Sequence, residues 1–222
     1  MFWHSLNFQE SASPVMESMK IFHDHSLVIM GIILIMISYL MFFLTMNKMI
    51  NNTLISGHSL ETVWTVFPSL ILILLAIPSM KLLYAMEESQ EPLLTLKITG
   101  HQWFWSYEYA DFMELQFDSY MLPETDLICG QHRLLETDHN IVLPINEMVR
   151  MIITSDDVIH CWTMPSMALK CDAVPGRLNQ IQFLANRVGM FYGQCSEICG
   201  ANHSFMPISM EIISLSDFMK WM

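Results

Sequence analysis

The stretch GQCSEICGANHSFMP, residues 193–207, brings together two thiols, an imidazole and a thioether as Cys195, Cys199, His203 and Met206. It leaves an apolar run ending in FYG and enters another at Met206, so it reads as a loop joining two strands. Met206 shares strand parity with Ile208, Met210 and Ile212, and therefore opens a buried face as well as offering a sulfur. Three chemistries compete for the loop. A Cys195–Cys199 disulfide needs only an oxidising compartment, but it leaves His203 and Met206 without a use. Structural zinc has no use for a thioether, and Cys-x3-Cys is not its commonest spacing. Copper takes all four, because thiolate and thioether suit the cuprous ion while imidazole suits both oxidation states. A single-copper electron-transfer site uses one cysteine, so the second points to a second metal, with one electron's charge spread over both ions.

A copper loop of this kind, set between strands at a β-sandwich edge, takes one further histidine from a distant strand. His160, in SDDVIHCWTMP, closes an apolar run and is favoured by position. His4, His23, His25 and His58 lie in or beside apolar helical segments, and His101, His132 and His139 lie in polar or turn-like settings. Cys129, Cys161 and Cys171 are scattered without metal-like spacing and read as small packed side chains.

The surrounding pattern is that of strands. Leu94, Leu96 and Ile98 alternate with polar residues, and Trp103, Trp105, Tyr107 and Tyr109 follow on the opposite parity, which predicts a bulge or bend at Gly100. NIVLPI, MVRMIITS, NQIQFLA, GMFYGQC and FMPISMEIISL are short apolar runs bounded by Pro, Gly, Asn or Asp, the pattern of an antiparallel sandwich or barrel. SLSDFMKWM at the end predicts a short helix with Ser216 as its N-cap.

Upstream the composition changes. Residues 27–46, LVIMGIILIMISYLMFFLTM, and residues 62–80, TVWTVFPSLILILLAIPSM, contain no charge. Each is long enough to span a bilayer, and Pro68 and Pro78 are tolerated in such a helix when its neighbours satisfy the freed carbonyls. Joined by a link of 15 residues, they predict a transmembrane hairpin, with helices over about 26–46 and 62–84, inside an N-terminal part covering residues 1–86. MFWHSLNFQESASP lacks the basic start of a secretory signal and the arginine of a transit peptide, so neither run is expected to be removed. The 21 methionines, often standing where Leu or Ile would serve, suggest a genetic code with extra Met codons, as in animal mitochondria. The β part, residues 87–222, carries 7 basic and 18 acidic side chains, a net of −11. A field of that sign repels nucleic acid and draws in cationic partners.

GQCSEICGANHSFMP, GHQWFWSYEY, FDSYM, PGRLNQ and the apolar hairpin, in this order over nearly the whole chain, resemble cytochrome c oxidase subunit II of the animal mitochondrial type. The resemblance implies a two-helix hairpin followed by an all-β cupredoxin-like Greek-key sandwich or barrel. It also implies a dinuclear copper centre bridged by Cys195 and Cys199. His160 and Met206 would complete one copper, and His203 with the main-chain carbonyl of Glu197 the other. The Glu197 carboxylate would ligate Mg2+ at the junction with subunit I. Trp103 matches the residue through which electrons enter, and Glu108, Asp138, Asp156 and Asp157 match acids that dock cytochrome c. Glu61 matches a carboxylate at a proton-pathway entrance. The implied setting is the mitochondrial inner membrane, with the β domain and both termini in the intermembrane space. Cys161 and Cys171 depart from the commoner residues of the family, and neither is a ligand position. A membrane-tethered copper carrier and a structural zinc module remain as rival readings of the motif.

Overall fold

Helix α1 (Pro14–Met46) and helix α2 (His58–Glu87) carry the two apolar runs. The computed structural model describes residues 6–53, 55–88, 90–112 and 115–222, so His4 lies outside the described residues. Both helices are longer than the predicted spans of 26–46 and 62–84. Helix α1 starts early because Ser13 and Pro14 make a good N-terminus: the Met16 N–H donates to Ser13 Oγ at 3.0 Å, and proline needs no donor in the first turn. Helix α2 is extended at its start by a turn that places Glu61 near the positive end of the helix dipole. Apolar side chains on both helices point outward, with Ile35 71% and Leu72 66% exposed. Such a surface is unfavourable in water and is the natural one in hydrocarbon.

The described chain forms two compact units, Ser18–Ala85 and a second made of the residues up to Glu17 together with Met86–Met222. The polar lead therefore packs with the strands rather than with the hairpin. Ala12 is fully buried, its N–H donates to Ser166 O at 2.8 Å, and its carbonyl accepts from Asn186 N–H at 3.0 Å. Arg187 adds a 2.7 Å ion pair to Glu10.

Among the described residues, ten strands build the second unit: β1 (Leu94–His101), β2 (Phe104–Tyr109), β3 (Gln116–Ser119), β4 (Ile141–Pro144), β5 (Met148–Ser155), β6 (His160–Met164), β7 (Leu169–Ala173), β8 (Asn179–Leu184), β9 (Gly189–Gln194) and β10 (Pro207–Ile213). They form a five-stranded sheet in the order β3-β2-β1-β5-β8, a three-stranded sheet β4-β10-β9, and the pair β6-β7. Leu96, Ile98, Trp105, Met151 and Ile153 from the first sheet meet Ile141, Leu143, Ile208, Met210 and Ile212 from the second in one core. The Tyr109 hydroxyl joins the sheets, donating to Val142 O at 2.8 Å and accepting from Val142 N–H at 2.9 Å.

Three expectations are corrected. The sandwich is not wholly antiparallel, since β1 pairs with β5 and β4 with β10 in parallel. Parallel pairs need long crossovers, and alternation within a strand carries no sign of its neighbour's direction. The change of phase near Gly100 is a two-residue hairpin with Gln102 and Trp103 at its tip and His101 opposite Phe104. Such a hairpin pairs even-numbered with odd-numbered residues, so Gly100 faces Trp105 and Ile98 faces Tyr107 with no bulge. Finally, helix α3 (Leu215–Trp221) is capped by Ser214, which accepts from Asp217 N–H, rather than by Ser216. The Ser-x-x-Asp spacing, a variant of the capping box, favours the earlier serine.

Candidate metal centre

Strands β9 and β10 hold the ends of the cysteine loop, and their mutual pairing (Pro207 opposite Gln194) fixes its width. The loop is pinned twice more. Ser196 N–H donates to Cys161 O on β6 at 3.0 Å, and the Gln102 side-chain amide donates to Cys199 O at 2.7 Å. His160 opens β6 and is fully buried. Its Nδ1 lies 4.0 Å from Cys195 Sγ, and the ligand atoms of His160, Cys195 and Cys199 all fall within 4.8 Å of one another.

The remaining donors gather on the same two sulfurs. Cys195 Sγ and Cys199 Sγ are 4.0 Å apart and unbonded, so both thiols are free. Cys199 Sγ lies 3.4 Å from His203 Nδ1 and 3.6 Å from Met206 Sδ, while Cys195 Sγ lies 3.4 Å from Glu197 O. Two thiols, two imidazole nitrogens, a thioether and a carbonyl thus surround one small volume. That set fits copper: it is mostly soft, and it has a use for the thioether and for the second thiol. Cys195, Cys199, His160 and Met206 are all buried, which suits a resident ion better than one in transit.

Electrostatics separates the two thiols. Burial raises that of Cys195, but hydrogen bonding with the His160 ring and with the main chain of Cys161 and Glu197 outweighs it and lowers its pKa. Burial and then the neighbouring Cys195 push Cys199 up. Burial also lowers His160, yet its contacts with Cys195 and Asp157 leave it raised overall. Cys195 therefore gives up its proton more easily than Cys199.

Trp103 sits beside this loop, not in a strand. A Cβ on Gly200, whose φ is +126°, would lie 3.0 Å from Trp103 Cζ2, so only glycine lets the indole come this close. Trp105, beneath it, donates from Nε1 to Met206 O at 3.3 Å and meets the His160 ring edge-on at 5.8 Å.

The expected acids are placed less uniformly. Glu197 is exposed on the loop between the two cysteines. Glu108 pairs with Lys97 Nζ at 2.9 Å on the outer face of the five-stranded sheet, and Asp156 lies 3.9 Å from His101 on the same face. Both line a groove of about 340 Å³ there. Asp138 is exposed, and its Oδ1 accepts the N–H of Tyr120 at 2.7 Å. Asp157 differs, for its carboxylate is turned to His160 Nε2 at 2.8 Å. Glu61 lies in the first turn of α2, 3.5 Å from His58.

Residue-by-residue reading of the motif missed Gln102, which ties the hairpin tip to Cys199, and Gly100, where a Cβ would lie 2.9 Å from His160 Cδ2. It also missed the inward role of Asp157, for which the Asp-x-x-His spacing was the available signal.

A family model described as cytochrome c oxidase subunit II, periplasmic domain, matches residues 94–213, and one for the transmembrane domain of the same subunit matches residues 1–82. Cytochrome c oxidase subunit 2 of Yponomeuta malinellus is 54% identical over 99% of this chain and 96% of its own length. That of Aedes aegypti is 52% identical over the same shares. Among solved structures, the periplasmic domain of cytochrome oxidase subunit II from Bradyrhizobium japonicum is similar, at a TM-score of 0.56 and 44% identity. It covers 60% of this chain and 94% of that one.

Proposed function

Because the chain belongs to the cytochrome c oxidase subunit II family, we propose that its clustered donors hold a dinuclear copper centre that receives electrons from reduced cytochrome c. Membership makes the chain a membrane-spanning subunit of a respiratory oxidoreductase of the mitochondrial inner membrane, with an electron-accepting, copper-binding β domain. The observation that carries the finer reading is the convergence of four further donors on two unbonded sulfurs 4.0 Å apart. When bound, a pair of coppers would supply one-electron transfer with little rearrangement, because the charge is spread over both ions.

The chain's own residues divide the remaining work. Cys195 and Cys199 would hold both ions, with His160 and Met206 on one and His203 and the Glu197 carbonyl on the other. Buried strands β6 and β10 keep water away and hold the donors in place. Trp103, half-buried at the hairpin tip and close to the loop at Gly200, lies where a docked donor would pass its electron. The Glu197 carboxylate, exposed on the loop, would hold Mg2+ together with subunit I, whose haem and copper centre reduces oxygen. Glu108, Asp138 and Asp156, with Asp157, belong to the face that meets lysine-rich cytochrome c, and Glu61 to the entrance of a proton pathway. The β domain and both termini face the intermembrane space, with the helix link on the opposite side.

Loading the chain with copper and counting metal tests this reading. Two coppers per chain are expected, with a resonance signal from one electron shared equally by both nuclei. A single copper, or a site that holds only zinc and shows no redox response, would overturn it.

A further inference from the structure

On the segment between β3 and β4, His132 and Glu136 come together, and both meet Tyr192 of β9. None of the three is a donor of the copper centre. Glu136 is buried, with only 8% of its side chain exposed. Its Oε1 accepts the His132 N–H at 3.0 Å and the Tyr192 hydroxyl at 2.9 Å, and its main-chain carbonyl accepts the Leu122 N–H at 2.9 Å. The carboxylate is thus fixed in place by two neutral donors, and neither balances its charge. Arg133, the cation adjacent in sequence, is turned to Glu124 at 3.2 Å instead.

The His132 ring supplies what the carboxylate lacks. It packs against the Tyr192 ring with centroids 5.1 Å apart, and its Nδ1 lies 3.6 Å from Glu136 Oε1. That nitrogen is buried and has no hydrogen-bond partner among the described residues. A buried polar atom left in this state calls for a partner. A cation between nitrogen and carboxylate would satisfy both at once. Two donors on one tetrahedral zinc ion, each at 2.0–2.2 Å, stand about 3.4 Å apart, close to the separation found here. Imidazole and carboxylate are both zinc donors, and the bonds from Tyr192 and the His132 main chain are the outer support a ligating carboxylate needs. Burial, then the charge of Glu136, pushes the Tyr192 phenol up to about 12, so it keeps its proton and stays a donor. The His132 side chain is 42% exposed, which gives an ion a way in and leaves room for water to complete its shell. We propose that His132 and Glu136, supported by Tyr192, form a second metal site on this domain, one that takes an exchangeable zinc ion.

Zinc binding to the assembled oxidase tests this, with Zn2+ as the only added metal. The difference between the unaltered chain and its variants is the reading, because cysteines elsewhere also take zinc. One zinc per chain is expected here, seen in crystals as anomalous scattering at the zinc edge between His132 Nδ1 and the Glu136 carboxylate. His132→Leu and Glu136→Gln should each abolish that peak and leave one zinc fewer per chain at saturation. Tyr192→Phe removes only a supporting bond and should weaken binding about tenfold. Mg2+ in about tenfold excess should leave the zinc in place, because magnesium prefers oxygen donors to imidazole. Should Glu136→Gln fail to assemble, His132→Leu, at a half-exposed position, decides the matter alone. The proposal is overturned if His132→Leu binds as much zinc as the unaltered chain. It is overturned equally if Mg2+ displaces the zinc, which would make it a diffuse counterion of the acidic domain.

Discussion

At the scale of single residues, close approach governs the site as much as the donors do. Gly100 contributes no side chain, and that is its role: a Cβ there would lie 2.9 Å from His160 Cδ2 and 3.1 Å from Trp105 Cζ3. Neither ring can retreat, because both are fully buried. Gly100→Ala is expected to destabilise the domain by about 1–3 kcal/mol and to shift the copper resonance signal by tilting His160. Thermal unfolding and the resonance spectrum check both effects, and an unshifted spectrum would remove the steric role. The cysteines outside the site make a second case. Burial, then the charge of Asp172, pushes the Cys171 thiol up to about 11. Only about one molecule in a thousand carries its thiolate at pH 8, and the fraction rises roughly tenfold per pH unit until it nears that value. Alkylation of Cys171 should follow this slope, while exposed Cys129 reacts well before it. Peptide mapping after timed labelling measures the order, and early labelling of Cys171 would contradict its packing.

At the scale of elements, the site is an agreement among three pieces: the β1–β2 hairpin tip, the start of β6 and the β9–β10 loop. Gln102 is the hinge of that agreement, since its main chain bonds Asp157 and its side chain bonds Cys199. Gln102→Ala removes only the second bond. The fold should lose about 1 kcal/mol, as for one exposed-edge hydrogen bond, while electron transfer from cytochrome c slows because Trp103 is no longer held against Gly200. Stopped-flow reduction of the copper centre tests this, and a full-speed variant would detach the tip from the pathway. The same three pieces explain what the sequence discloses. Cys195, Cys199, His203 and Met206 are legible because one loop carries them all, and two apolar runs are legible because a bilayer sets their length. His160 is reached by position along its strand. Gln102 and Gly100 are not legible as site residues, because their partners lie 55 to 97 residues away or are brought near only by parallel pairing of β1 with β5, whereas the bond of Asp157 to His160 had a short spacing to announce it. The hairpin mistaken for a bulge has the same origin: parity records which face a residue occupies, not whether the chain has turned back.

At the scale of the whole molecule, charge is divided as sharply as polarity. The hairpin part, residues 1–86, carries 3 basic and 4 acidic side chains, whereas residues 87–222 hold the net −11. A partner rich in lysine is therefore drawn to the β domain before any contact forms. Screening sets the range of that attraction, which falls from about 30 Å at 0.01 M salt to about 10 Å at 0.1 M. Oxidation of cytochrome c should slow steeply across this interval, chiefly through association, and rates indifferent to salt would take the acidic face out of the mechanism. The acids are not equal contributors. Glu108 is paired with Lys97 at 2.9 Å, so it offers a partner much less field than Asp156, which among the described residues is paired with no lysine or arginine. Asp156→Asn should accordingly weaken association more than Glu108→Gln. Lys97→Met, by freeing Glu108, should strengthen it at low salt and lose that advantage as salt rises. Association rates for these three variants over a salt series decide the ranking, and equal losses for Asp156→Asn and Glu108→Gln would show that net charge alone, not its pairing on the sheet face, guides the partner in.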